Sequence, residues 1–320
     1  MRWSTRVSVV AAVLGTTLAC LPVLGQVGLF SFGPPDARIA EAGSYTVRWL
    51  DSPVAIPNAG HIPSVTWYYS RQQDGSERQR MVSLFADDFT RGLSANWRAD
   101  GPFAFDWKVA REQDRAFVVG PRDGSALIGL QPTERDVVIS ALVRPRGVLS
   151  RFALGFRTQP NGSAYQLTAD KDGLALRENG LAVRPPIATS QLLPGRWYWF
   201  EIGIRSHPRD VELRLRVFDE ARKNVLCCVS QLNIRPGDRN LLRTGLLTLS
   251  GSADFSTVYV DPWQARWLDD VRNEFRWDTS GVPAGSYYLV AELCADRQVQ
   301  RIQVSDYQVE VRNPESDGRN

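Results

Sequence analysis

The sequence predicts an all-β protein: two β-sandwiches, one split by the other, behind a single N-terminal apolar helix. Three observations lead there. After Phe32 the apolar residues recur with period two in short runs, the spacing of half-buried strands rather than of helices. Asn-Gly and Asp-Gly dipeptides, which accept positive φ and mark tight hairpins, stand between those runs at Asn161-Gly162, Asp172-Gly173 and Asn179-Gly180. Finally, the strands that open a small domain near the N-terminus find their complement only near the C-terminus.

The chain begins with the segment 1–32, read as a signal-anchor helix. Arg2 and Arg6 precede a stretch without charge that runs from Val7 through Pro35. Its core, Val7 to Leu24, exceeds the 7–15 residues typical of a cleavable signal, and about 18–20 apolar residues suffice to cross a bilayer. Basic residues on the short N-terminal side keep that end in the cytoplasm, which places everything after Phe32 in the periplasm or outside the cell. Two other readings stay open: cleavage between Gly25 and Gln26, and a lipid-modified Cys20 in Thr17-Leu-Ala-Cys20. The run stays apolar through Val27, Leu29, Phe30 and Phe32, which favours a retained anchor with the lipid bilayer as its partner.

A linker with Gly33-Pro-Pro-Asp36 occupies 33–43. Residues 44–83 carry the strands Tyr45–Trp49, Val65–Tyr69 and Arg78–Val82, too few to bury a core alone. The middle block, 84–267, alternates at Phe152/Leu154/Phe156, Tyr165/Leu167/Ala169, Tyr198/Phe200/Ile202/Ile204, Val211/Leu213/Leu215/Val217 and Leu247/Leu249. Residues 268–313 supply the missing strands, around Phe275–Glu292 and Val304–Val311. A polar tail, 314–320, is expected to be disordered.

Composition limits the function. At 320 residues there is room for two domains, and 43% apolar with 23% charged residues is the make-up of folded protein. The formal charge is only +3, and no basic run is interleaved with aromatics, so no nucleic-acid partner is expected. Beyond Cys20 there remain Cys227, Cys228 and Cys294, an odd set that cannot close a disulfide framework. Cys227 and Cys228 are adjacent on a strand and point to opposite faces. They read as small buried hydrophobes, with a bridge between Cys228 and Cys294, tying the two domains together, as the alternative.

The middle block carries a resemblance. The succession Asp87-Asp-Phe89, Trp107-Lys-Val109, Asp136–Ser140, Leu154-Gly-Phe156, Tyr165-Gln-Leu167, Pro194–Tyr198 and Phe255–Val260 resembles the concanavalin A-like lectin/glucanase superfamily in its laminin-G-like form. That implies a jelly roll whose first and last strands lie side by side, a geometry suited to insertion into a host loop. The flanking segments resemble an immunoglobulin-like or fibronectin type III-like module of bacterial surface proteins. The residues that carry this likeness are Trp277–Tyr288, Val47-Arg-Trp49 and Trp67-Tyr-Tyr69.

Hydrolases of that superfamily carry Glu-x-Asp-x-x-Glu along one strand, where alternation puts the first two carboxylates on one face. This chain has no such spacing: Glu201 stands alone, and Asp87 and Asp88 are adjacent. His61 and His207 have no partner motif, so neither a nucleophilic triad nor a histidine metal site is expected, and no cofactor. Asp170-Lys-Asp-Gly173 has too few oxygen ligands for calcium and reads as a hairpin turn.

Binding is the remaining chemistry. If Tyr198, Phe200, Ile202 and Ile204 face the core, Trp197, Trp199 and Glu201 lie on the opposite face, near Arg196 and Arg205. Such a patch stacks on a sugar ring or anchors a protein interface, unless the second domain covers it. Two functions follow: a membrane-anchored, non-enzymatic accessory subunit docked on a larger membrane protein assembly, or a carbohydrate-binding surface protein that takes a glycan.

Overall fold

The computed structural model describes residues 31–312, apart from 34, 36–37, 41–42, 51–63, 103, 122–125, 130, 171, 184–186, 188–191, 268–273 and 296–297. The apolar segment Val7–Leu24 and the tail 314–320 therefore lie outside the described residues. Among those described, no helix is long and apolar enough to cross a membrane. The regular structure of the described residues is nearly all β, as the alternation predicts.

The first strands are β1 (Ser31–Phe32), β2 (Ile39–Ala40), β3 (Ser44–Leu50), β4 (Ser64–Ser70) and β5 (Gln79–Arg80). The middle block follows with β6 (Phe85–Asp87), β7 (Arg98–Asp100), β8 (Lys108–Glu112), β9 (Arg115–Val119), β10 (Ala126–Ile128), β11 (Val137–Pro145) and β12 (Phe152–Thr158). It continues through β13 (Tyr165–Asp170), β14 (Gly173–Glu178), β15 (Leu181–Ala182), β16 (Tyr198–Ser206), β17 (Val211–Asp219), β18 (Val225–Ile234), β19 (Leu246–Gly251) and β20 (Ala253–Pro262). The chain ends in β21 (Glu274–Asp278), β22 (Gly285–Ala295) and β23 (Gln298–Val311).

Two sheets draw strands from both ends of the chain. One is three-stranded, β1-β3-β21; the other is five-stranded, β2-β23-β22-β4-β5. Their shared core joins Tyr45, Trp49, Trp67 and Tyr69 to Phe275, Trp277, Tyr287 and Leu289. The rings of Trp49 and Trp67 lie 5.2 Å apart, and those of Trp67 and Phe275 also 5.2 Å. Both chain segments contribute side chains to this core.

The expected boundaries shift here. Ser31–Phe32, assigned to the anchor helix, is a strand paired with Trp49 and Leu50, and Ile39–Ala40, assigned to the linker, runs parallel to Glu310 and Val311. Packing decides it, since the Phe32 ring stands edge-on to Trp67 at 5.8 Å.

The middle block forms its own sandwich. A seven-stranded sheet, β15-β14-β13-β12-β19-β10-β7, faces an eight-stranded one, β18-β17-β16-β11-β20-β9-β8, in which β6 also pairs with β20. Every pair in both is antiparallel, the jelly-roll arrangement. The core between the sheets is dense in aromatics; Phe152 meets Phe200 at 5.6 Å and Phe255 at 6.3 Å, both edge-to-face.

Candidate functional site

The outer face of the eight-stranded sheet, turned away from its own core, carries the polar and aromatic side chains. Strand β16 shows how. Tyr198, Phe200, Ile202 and Ile204 enter the jelly-roll core, while Trp197 joins Phe117 and Leu142 in a separate cluster on the other face, with Trp199 packed against it. Parity sets the face, as period-two alternation requires. It does not set what covers that face, and two different things do.

Over the middle of β16 lies the first sandwich. Glu201, only 1% exposed, is ion-paired with Arg222 and Arg266. Arg266 also donates to Thr66 of β4 at 2.5 Å, and its carbonyl accepts from Val65 N–H at 2.9 Å. Arg80 of β5 bonds Asp261 at 2.6 Å and lies 3.8 Å over the Tyr259 ring. Arg216 of β17 donates to Ser64. Trp199, half-buried, stacks on Tyr259 at 6.2 Å beneath Arg222 at 5.0 Å.

Farther along the same face the turn after β20 brings Trp263 and Trp267 onto the sheet. Guanidiniums interleave with the indoles: Arg205 lies 5.7 Å from Trp263, Arg214 lies 4.5 Å from Trp263 and 4.8 Å from Trp267, and Arg216 lies 4.5 Å from Trp267. Burial lowers Arg222 and Arg266 to about 10, with neighbouring cations adding to the effect. Charges this deeply buried persist only when paired, as these are. The region is a seam within the molecule.

At the start of β16 the face opens into a pocket of about 590 Å³. The tip of the β8–β9 hairpin, Gln113 and Asp114, forms one wall; Gln113 adopts φ 52°, as a two-residue turn requires. Asp88, Thr90, Glu112, Arg115, Arg144, Glu220, Ser256 and Thr257 complete the lining around Trp197. Arg115 lies 5.0 Å and Arg144 4.6 Å from the Trp197 ring, and Phe117 meets it edge-on at 5.7 Å. Arg115 pairs with Glu220 at 2.7 Å. Arg144 pairs with Glu112 and, at 2.8 Å, with Asp254. Burial works to lower the Arg144 pKa, but these carboxylates outweigh it and leave it above its ordinary value. Asp254 is itself pushed up, chiefly by burial.

The expected binding patch is therefore divided. Trp197 is only 8% exposed, its ring covered by two guanidiniums and a phenyl, so it floors the pocket without offering a bare face. Glu201 is sealed in the seam. Arg205 lies against Trp263, and Arg196 is exposed in the loop beside Gly195 at the pocket rim. Of the residues that line the pocket openly, Asp88 reads in the sequence only as half of an adjacent acidic pair, and Thr90, Glu112 and Asp114 carry no pattern. They sit in turns and at strand ends, where no periodicity marks them. Cys227 is buried, and burial pushes its thiol up to about 11. The alternative bridge from Cys228 involves the Cys294 side chain, which lies outside the described residues. His207 approaches Glu212 at 3.2 Å, while Glu212 also holds Arg214 at 2.7 Å.

No family model matches the chain, and no curated protein matches it. Solved structures similar to it include the cellulose-induced protein Cip1, at 14% identity and a TM-score of 0.40, over 55% of this chain and 96% of that one. Lectin II from Ulex europaeus is similar at 11% identity and a TM-score of 0.37, over 55% of this chain and 96% of the lectin. A Bacillus subtilis protein of unknown function with a galectin-like fold is similar at 11% identity and a TM-score of 0.35, over 57% and 96%.

Proposed function

We propose that this chain is a non-enzymatic glycan-binding protein that takes its ligand in the pocket around Trp197. The lining of that pocket carries the reading. Carboxylates of Asp88, Glu112, Asp114 and Glu220, guanidiniums of Arg115 and Arg144, and hydroxyls of Thr90 and Thr257 ring one open concavity. Drug-like ligands favour apolar pockets with few polar groups, whereas this one has polar groups on every side. Sugar hydroxyls both donate and accept, so they match carboxylates and guanidiniums together. The size, about 590 Å³, suits a short oligosaccharide.

The ion pairs in the lining favour binding over cleavage as the reading. Glycoside hydrolysis requires one carboxyl to arrive protonated as a general acid. Glu112 and Glu220 are each taken up in an ion pair, with Arg144 and Arg115 respectively. In this reading the N-terminal apolar segment anchors the protein and the two sandwiches stand outside the cytoplasm. The flanking sandwich, immunoglobulin-like in its sequence signature, braces the jelly roll. Docking on a membrane assembly is the less favoured reading, because the face around Glu201 is already filled by the molecule's own seam. A broad glycan array probed with the full chain tests the proposal. Retention of one glycan class without its hydrolysis is expected; binding to none, or release of shorter sugars, would count against it.

A further inference from the structure

The loops that border the pocket around Trp197 have a second concavity on their other side. Arg144 and Gly195 line that pocket, while the adjoining residues Pro145 and Pro194 line a cavity of about 240 Å³. The Gly195 N–H donates to the Pro145 carbonyl at 2.8 Å, which joins the two loops into one ridge. Successive residues at the end of β11 point to opposite sides, so the same ridge serves both concavities.

The chemistry changes across the ridge. Beyond it, Pro145, Val148, Phe152, Ala169, Leu192 and Pro194 give apolar surface, joined by Ser150 and by Asp170 and Asp172 of the β13–β14 turn. The turn 147–150 is held from within. Gly147 N–H donates to Ser150 Oγ at 2.7 Å, and Ser150 N–H donates to the Gly147 carbonyl at 3.0 Å. Its tip is Val148 and Leu149, 64% and 77% exposed, where turns ordinarily place glycine, proline or small polar residues. Leu193, on the other loop of the ridge, is exposed as well. One exposed aliphatic side chain needs no explanation, but three on one ridge mark a contact surface.

We infer that the cavity beyond the ridge is an aglycone subsite: the ligand is a glycan that carries a neutral aliphatic group, its sugar beside Trp197 and its alkyl chain against Val148 and Leu192. This deepens the glycan reading of the Trp197 pocket and rests on it. The size of the cavity, below the roughly 300 Å³ at which pockets hold a whole ligand, suits one end of a molecule seated next door. Charges of both signs stand on the segments that form it, Arg146, Arg151 and Lys171 with Asp170 and Asp172, so neither an acidic nor a basic tail is favoured. Alkyl glycosides and glycolipids share the required chemistry.

Isothermal titration of the full chain in phosphatidylcholine nanodiscs tests this, with empty nanodiscs as the blank and the methyl and n-butyl glycosides of the array-selected sugar as probes. The parent is compared with Val148→Ser/Leu149→Ser and with Ile302→Ser, an exposed aliphatic site on β23 of the other sandwich. The parent and the β23 control are expected to bind the butyl glycoside at least tenfold more tightly than the methyl glycoside. That ratio is about 1.4 kcal/mol, which burying roughly two methylenes supplies. In the ridge variant the ratio should fall below about threefold. Equal affinities in the parent, with the methyl glycoside still bound, would overturn the subsite and leave the glycan reading standing; if neither glycoside binds, both fall. A ridge variant that keeps the parent's ratio would also overturn it. Should that variant fail to fold, a butyl glycoside with a terminal diazirine is photolysed on the parent. Labels within 147–150 or 192–194 uphold the subsite, and labels elsewhere refute it. Capture of vesicles that carry the diacylglycerol glycoside of the same sugar assigns the source to glycolipid; a butyl preference without capture assigns it to soluble glycosides.

Discussion

Gly203 shows how tightly single residues are fixed on the outer face of the jelly roll. A Cβ there would stand 2.8 Å from Trp267 Nε1 and 3.0 Å from Trp263 Cζ3. Those indoles are fully buried and held by Arg214, so neither yields easily. Gly203→Ala is expected to cost about 1–3 kcal/mol of stability, the usual penalty of overpacking, read from urea unfolding. An unchanged midpoint would show the indoles to be mobile. Cys227 gives a second test at this scale: its buried, raised thiol should resist alkylation at neutral pH in the native protein and react once urea unfolds it. Equal labelling in both states would contradict the burial. The sequence made the facing of Trp197, Trp199 and Glu201 legible, since strand parity needs only the pattern. Their cover was illegible, because it comes from Arg266, Thr66, Arg115 and Arg144, residues far away in the chain.

Among the elements, the hairpins were the most readable. Asn179 and Gly180 both take positive φ, at 51° and 81°, between the paired residues Glu178 and Leu181, as their dipeptide signals. The β8–β9 hairpin was not readable, since Gln113-Asp114 carries no such signal. The seam between β16 and the β4–β5 strands depends on Glu201. Removing its charge in Glu201→Gln leaves Arg222 and Arg266 without their shared carboxylate, at an expected cost of about 3–5 kcal/mol, the scale of a broken buried pair. A loss below about 1 kcal/mol in denaturant titration, as for an exposed pair, would show the seam to be wet.

Alkaline pH tests the burial of five tyrosines. Tyr45, Tyr69, Tyr165, Tyr259 and Tyr307 are all pushed above their usual 10.0, chiefly by burial. A pKa raised in the folded state contributes stability that is whole below pH 10 and is lost as pH climbs through the raised values. Arg222 and Arg266, lowered to about 10, shed protons first in the folded state and oppose that loss in part. These tyrosines are expected to ionise only above their ordinary value, together with loss of the β-sheet circular dichroism signal. Their smooth titration near pH 10 with the fold intact would contradict the burial.

At the scale of the whole molecule, two sandwiches share one polar seam and are expected to unfold in a single calorimetric transition. Two separated transitions would mean that Arg266, Arg80 and Arg216 bridge the sandwiches without coupling them. The proposed function rests on the open end of the same outer face, where the seam gives way to the pocket around Trp197. The most direct measurement is an isothermal titration with the glycan selected by the array, comparing the parent with Thr90→Ala and Asp114→Ala. Both residues line the pocket from its exposed wall, so their loss should leave stability within about 0.5 kcal/mol. Each variant is predicted to weaken binding about fivefold or more, the cost of a hydrogen bond to a ligand left unmatched, about 1 kcal/mol or above. Affinities equal to the parent's in both variants would contradict the claim that this pocket binds the glycan.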